Sequence, residues 1–151
     1  MDNNKSIATL QAYATGLAAQ SLQHKVESKI FASLGYAKLG EKYAEHAAEE
    51  MSWVDQFIDR ILDLGGQPKV ETAPAMEVTD DPVKYIKADL AVSVEQVPIL
   101  MDVVNSLCDD FKTYDILRAY ALDEEEDMYW SQTQLELIEN IGLQNWLAKQ
   151  L

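Results

Sequence analysis

Basic residues, cysteine, glycine and proline are all scarce in this chain, and each scarcity removes a class of structure or function. Twelve Lys and Arg stand against 26 Asp and Glu, a net charge of -14 over 151 residues. So acidic a surface is repelled by the phosphate backbone of nucleic acids and by anionic membranes, and it favours small cations. The single cysteine, Cys108, excludes an intrachain disulfide and any cysteine-built zinc or iron–sulfur cluster within one chain. No apolar run approaches the roughly 18 residues of a membrane span. The first ten residues, MDNNKSIATL, lack the apolar segment of a secretory signal. A cytoplasmic protein binding neither nucleic acid nor membrane is expected.

Six glycines and four prolines leave long stretches free of breakers, and those stretches read at helical period. The pattern predicts a helix from about Lys5 to Leu34 and a second from about Ala37 to Leu64. A loop, GGQPKVETAPAMEVTD, follows, and Asp81 with Pro82 opens a third helix as N-cap and first-turn residue. The polar cluster Asn105 to Asp110 separates the third helix from a fourth ending near Ile141, and a short fifth follows Gly142. Hairpin dipeptides and β-rich runs are absent. With 48% hydrophobic residues, the chain is expected to form one domain, 1–151, of all-α class. It should be a four-helix bundle with a long crossover between helices two and three.

Stepping alternately three and four residues along each helix draws its core seam. Helix one gives Ile7, Leu10, Ala14, Leu17, Ser21, His24, Ser28 and Phe31; helix two gives Tyr43, Ala47, Glu50, Val54, Phe57, Ile61 and Leu64. Helix three gives Val83, Ile86, Leu90, Ser93, Val97, Leu100, Val104 and Leu107. Helix four gives Leu117, Ala121, Glu124, Met128, Ser131, Leu135 and Ile138.

Two seams carry a carboxylate in mid-helix, Glu50 and Glu124. A buried ionised carboxylate needs a cation or takes up a proton, unless it sits at the seam's solvated edge. Asp127, one turn after Glu124, can point at the same spot. Glu50, Glu124 and Asp127 are thus candidate ligands for one hard divalent cation such as iron(II), manganese, magnesium or calcium. In the absence of metal, burial and mutual repulsion should raise a carboxylate pKa. Stability should then fall at alkaline pH, where Glu50→Gln should be neutral or stabilising. His24 reads as a satisfied core histidine, a metal ligand or a cationic partner of the glutamates. His46 with Glu45 and Glu49 reads as a solvated, acidic helix face.

The stretch LGEKYAEHAAEEMSWVDQFIDRILDLGGQP (Leu39 to Pro68) resembles the second helix of bacterioferritins, the haem-containing bacterial branch of the ferritins. LDEEEDMYW (Leu122 to Trp130) resembles that family's fourth-helix metal segment, and GLQNWLAKQL (Gly142 to Leu151) its fifth helix. The resemblance implies a ferritin-like four-helix bundle with a short C-terminal helix. It also implies self-association into a twenty-four-subunit shell for iron storage, with iron as cargo and ferroxidase as the family activity. The family's di-iron site takes one Glu from each of helices one and three, and a Glu-x-x-His pair from each of helices two and four. Those positions fall here on Leu17, Ser93, Glu50 with Trp53, and Glu124 with Asp127, so four of the six ligands are replaced. A degraded oxidation centre is therefore expected, in a shell shared with a ferroxidase-competent subunit. The alternatives are a remodelled carboxylate site that still oxidises iron(II), and a metal-free structural protein. Met51 matches the methionine that ligates haem b across a twofold dimer interface, where Ala18, Ser21, Lys25, Ala44 and Ala48 would flank the pocket.

Overall fold

The computed structural model describes residues 3–151. Its helices are α1 (Asn3–Ser33), α2 (Ala37–Asp63), α3 (Pro82–Asn105), α4 (Phe111–Ile141) and the short α5 (Leu143–Ala148), with no strand among the described residues. Each boundary has a local cause. The Asp81 carboxylate accepts from the backbone N–H groups of Val83 and Lys84, while Pro82, which has no N–H to satisfy, occupies the first turn of α3. Asp110 caps α4 by accepting from the Thr113 N–H. Past the end of α2, Gly65 takes φ +79°; its N–H bonds the Leu62 carbonyl and that of Gly66 bonds the Ile61 carbonyl. That closure consumes two carbonyls the helix would otherwise leave bare.

The topology follows from the order in which apolar and polar layers recur along the chain. One apolar cluster contains Leu10, Ala14 and Leu17 of α1, Val54, Phe57 and Ile61 of α2, Leu100 and Val104 of α3, and Leu117 and Ala121 of α4. A second contains Phe31, Leu39, Tyr43, Tyr85, Ile86 and Trp146. Buried polar side chains, including His24, His46, Glu50, Glu124 and Ser131, fall between them in sequence on their helices. Helices α1 and α4 run from the first cluster to the second, and α2 and α3 run the other way. Two parallel neighbours in sequence, α2 and α3, need a connection that travels the length of the bundle.

That connection is strapped along α1. Gln11 exchanges hydrogen bonds with both the N–H and the carbonyl of Lys69. Further along, the Gln23 amide donates to the Glu77 carbonyl and the Thr79 N–H donates to Glu27. Helices α1 and α2 approach to backbone contact: a Cβ on Gly40 would lie 2.8 Å from the Ser28 carbonyl oxygen. The Ser21 hydroxyl donates to the Ala47 carbonyl at 2.7 Å. Trp146 of α5 is fully buried and donates its indole N–H to Gln134, so the fifth helix docks on its own chain.

The seams hold at most positions, with two kinds of exception. Ile7, Leu64, Val83, Leu90, Ser93, Met128, Leu135 and Ile138 are half-buried, while Ser6, Glu27, His46, Tyr85 and Tyr120 are buried although off the seams. A three–four step draws a line, whereas a bundle helix buries an arc of roughly 100°. Residues one position off the line therefore enter the core. No described helix is long and apolar enough to cross a membrane.

Candidate functional site

The polar layer is built around His24. Its Nδ1 lies 2.5 Å from Glu50 Oε1 and its Nε2 lies 3.0 Å from Asp89 Oδ1, so the ring links carboxylates of α2 and α3 to α1. Burial by itself would lower the His24 pKa. Hydrogen bonding to Asp89 and Glu50, with their negative charges, overcomes that and raises it to about 10. These contacts put His24 where a cationic partner of two carboxylates would stand. Tyr43, Tyr85 and His46 wall the ring in, with centroids 5.5, 6.1 and 5.9 Å away.

Glu124 enters the same layer from α4. Burial, then the charges of Glu50 and Asp127, push its carboxyl up to about 8. Glu50 Oε2 and Glu124 Oε1 are buried without a hydrogen-bond partner. Asp127 belongs to another group: oxygens of Glu49, Asp123 and Asp127 lie within 4.8 Å of one another at the half-exposed edge of α2 and α4. Burial, followed by the charges of Asp123 and Glu49, raises Asp127 to about 7. The three carboxylates expected to share one cation are thus divided. Glu50 is engaged by His24, and Asp127 faces Glu49 and Asp123.

His46 overturns the expectation of a solvated face. It is 2% exposed, and burial followed by the nearby His24 charge lowers its pKa to about 4, leaving the ring neutral. Its Nε2 lies 3.7 Å from Asp127 Oδ1, too far for a hydrogen bond. Glu45 and Glu49 remain exposed, as expected.

The replaced positions are occupied as their chemistry dictates. Trp53 donates its indole N–H to Asp123 at 2.9 Å and offers no ligand atom. Leu17 is buried in the apolar cluster. Leu17 and Ser93 also line a cavity of about 220 Å³ between α1, α3 and α4, with Gln20, Gln96, Tyr120 and Glu124 in its wall. The short side chain at 93 leaves that volume unfilled.

On the outer face of α1 and α2, Met51 is 41% exposed at a groove of about 320 Å³. Ser21, Lys25, Ala44 and Ala48 line it as expected, joined by Ser28, Lys29 and Ala47. Ala18 packs instead against the apolar cluster. Small side chains keep the groove open, and Lys25 and Lys29 stand in its wall.

Sequence reasoning missed Asp89 and Asp123. Asp89 stands one turn before Ser93 on α3, so the helical i, i+4 relation to a core position was its signal. Asp123 was masked by heading a run of five consecutive acids, Asp123 to Asp127.

The description of the ferritin-like domain family matches residues 7–141. A bacterial ferritin of Neisseria meningitidis serogroup B is 34% identical over 156 aligned positions spanning the whole of both chains. One from Pseudomonas aeruginosa is 33% identical over 146 positions and 94% of each chain. A bacterioferritin of Rhodobacter capsulatus is 25% identical over 126 positions, covering 82% of this chain and 78% of its own. With its helix order, crossover and mid-bundle polar layer, this chain belongs to the ferritin family.

Proposed function

We propose that this chain is a subunit of a bacterioferritin-type iron-storage shell in which its own iron-oxidation centre is out of use. Met51 holds haem b between two copies, and a ferroxidase-competent partner subunit oxidises iron(II). The observation that carries this reading is the state of Glu50. Its Oε1 is committed to His24, while Trp53, Leu17 and Ser93 supply nothing that could complete a di-iron set. Iron(II) oxidation needs several ligands held in fixed geometry around the substrate metals. Aerobic oxidation of iron(II) by the purified chain should therefore scarcely exceed buffer. Rapid, saturable oxidation lost in Glu50→Gln would overturn the reading.

The groove beside Met51 supports the haem half of it. One thioether per chain gives two axial ligands only when two copies meet, and thioether ligation raises the reduction potential of haem iron. Small residues on α1 and α2 make room for the ring, and Lys25 can meet a propionate. Haem reconstitution of the assembled protein should give a Soret band that Met51→Ala abolishes without changing assembly size. A particle that light scattering finds monomeric would overturn the shell.

A second reading rests on the Glu49, Asp123 and Asp127 group, whose converging oxygens suit a hard divalent cation. It would collect iron(II) or manganese(II), with any oxidation slow. A metal-dependent gain in melting temperature lost in Asp123→Asn would favour this reading. A gain lost in Glu50→Gln would instead point to the set Glu50, Glu124 and Asp127.

A further inference from the structure

Between α1, α3 and α4 the bundle is underfilled. The cleft of about 220 Å³ there has a floor of buried side chains: Leu17, Val97, Leu100, Tyr120 and Glu124. Gly16, Val92 and Gln96 are exposed and form its rim, so the floor is open to the surface. An apolar cavity of about 150 Å³ takes up benzene, which leaves room here for one substituted ring. The rings of Tyr13 and Tyr120, both in the lining, meet edge to face with centroids 6.2 Å apart, and a third aromatic ring packs well against such a pair. Lysine, arginine and histidine are absent from the lining. Water in such a place finds few partners and yields readily to an apolar body. The exception is the Glu124 carboxyl, whose Oε1 is buried without a donor in the fold. A carboxyl oxygen accepts a hydrogen bond whether the group is ionised or neutral, so the cleft calls for a donor rather than for a charge.

We propose that this cleft binds a small uncharged aromatic alcohol: one ring of phenol size, packed against Tyr13, Leu17 and Tyr120, with its O–H donating to the Glu124 carboxyl. The inference goes beyond iron storage and needs neither metal nor haem. Two residues create the site. Leu17 makes the floor apolar, and Ser93 leaves the volume that a longer side chain on α3 would occupy. The lining also selects against charge. An aromatic carboxylate would set acceptor against acceptor at Glu124 and meet no basic side chain. An ammonium would carry its charge out of water onto a floor that is apolar except at Glu124. A hydroxyl satisfies the one unmatched acceptor at the least cost of desolvation.

The test uses full-length, assembled, haem-free protein after treatment with a chelator. Phenol and toluene are titrated at neutral pH by calorimetry and by equilibrium dialysis. Saturable binding of one phenol per chain is expected, about tenfold tighter than toluene, the discrimination that one hydrogen bond supplies. Glu124→Leu should erase that discrimination while keeping toluene. Glu124→Gln, which retains an acceptor, should keep phenol ahead. Ser93→Leu fills the cleft and should remove both ligands. If Ser93→Leu does not assemble, Gly16→Leu carries the comparison: a Cβ at that rim position meets nothing within 4 Å, so a leucine there narrows the entrance without disturbing the floor. Absence of saturable phenol binding would overturn the inference. So would phenol binding that survives the blocking variant, or phenol and toluene bound equally well. Benzylamine bound more tightly than phenol, and lost in Glu124→Gln, would overturn it in favour of an organic-cation site.

Discussion

Two carboxylates are buried against cations in this bundle, and they are treated differently. Near one end, Asp110 accepts from Arg60 Nη2 at 2.6 Å, from the Thr113 hydroxyl at 2.5 Å and from the Thr113 N–H, so both oxygens are occupied. Burial there works to raise the carboxyl, but the hydrogen bonds from Thr113 and Arg60 win and hold it below its ordinary value. In the middle layer, Glu50 has one oxygen on His24 and one with no partner, and Glu124 Oε1 has none. The first arrangement is a finished structural joint, as a helix cap should be. The second leaves two carboxylate oxygens without a donor, beside a ring that faces two carboxylates and a carboxyl raised by burial.

Breaking the finished joint should cost most. Arg60→Met leaves Asp110 ionised without its cation and should lower unfolding stability by about 3 kcal/mol, measured by denaturant melts at neutral pH. In the middle layer, Glu50→Gln should cost about 2 kcal/mol at pH 7, because His24 keeps a single carboxylate. The sequence alone made this substitution look neutral or stabilising, since it offered no fixed partner for Glu50. That expectation now passes to Glu124→Gln. Glu124 stays neutral in the folded chain up to about pH 8 but ionises from 4.5 upward when unfolded, so the variant should match the parent only below 4.5 and exceed it by a margin that grows up to about pH 8.

Wild-type melts sharpen the same contrast. His24 is raised from 6.5 to about 10, so its contribution is complete below about pH 6.5 and is lost as pH rises through 10. Glu124 and Asp127, raised to about 8 and 7, act with the same sign: their contributions are complete below the usual carboxylate range and fade as pH rises to 7–8. His46, lowered to about 4, opposes them, and its contribution is lost as pH falls from 6.5 through 4. Thermal stability should therefore peak in mildly acidic solution and decline steadily on the alkaline side. A flat profile between pH 6 and 10 would show that the layer is as well satisfied as the Arg60 joint. The smallest effect expected is that of Glu124→Gln below pH 4.5, where the glutamate is protonated in both the folded and the unfolded chain.

Helices and topology were legible in the sequence because they depend on periodicity and caps, which are local. The Asp81–Pro82 start and the Gly65 and Gly142 ends fall within a residue of their expected places. The polar layer was half legible. Glu50, Glu124 and His24 stand on seams and so announced themselves, but whom they face depends on the rotation of four helices about their axes. Asp127 stands one turn from Glu124 and still joins a different group, because its side chain leaves the helix about 60° further round. His46 was misread because its neighbours Glu45 and Glu49 are exposed, and a short window weighs such neighbours heavily.

The strap along α1 has a consequence for reach. From Gln11 to Glu27 the helix climbs sixteen residues, about 24 Å at 1.5 Å each. Between Lys69 and Thr79 the connecting chain has ten residues, which extend to about 33–36 Å at most. The slack is worth roughly three residues. Deleting two from Val70–Val78 should leave both anchors in place, whereas deleting four should pull one of them off and detach the start of α3 from its seat. Length, more than composition, is what this segment has to conserve for the two hairpins to stay in register.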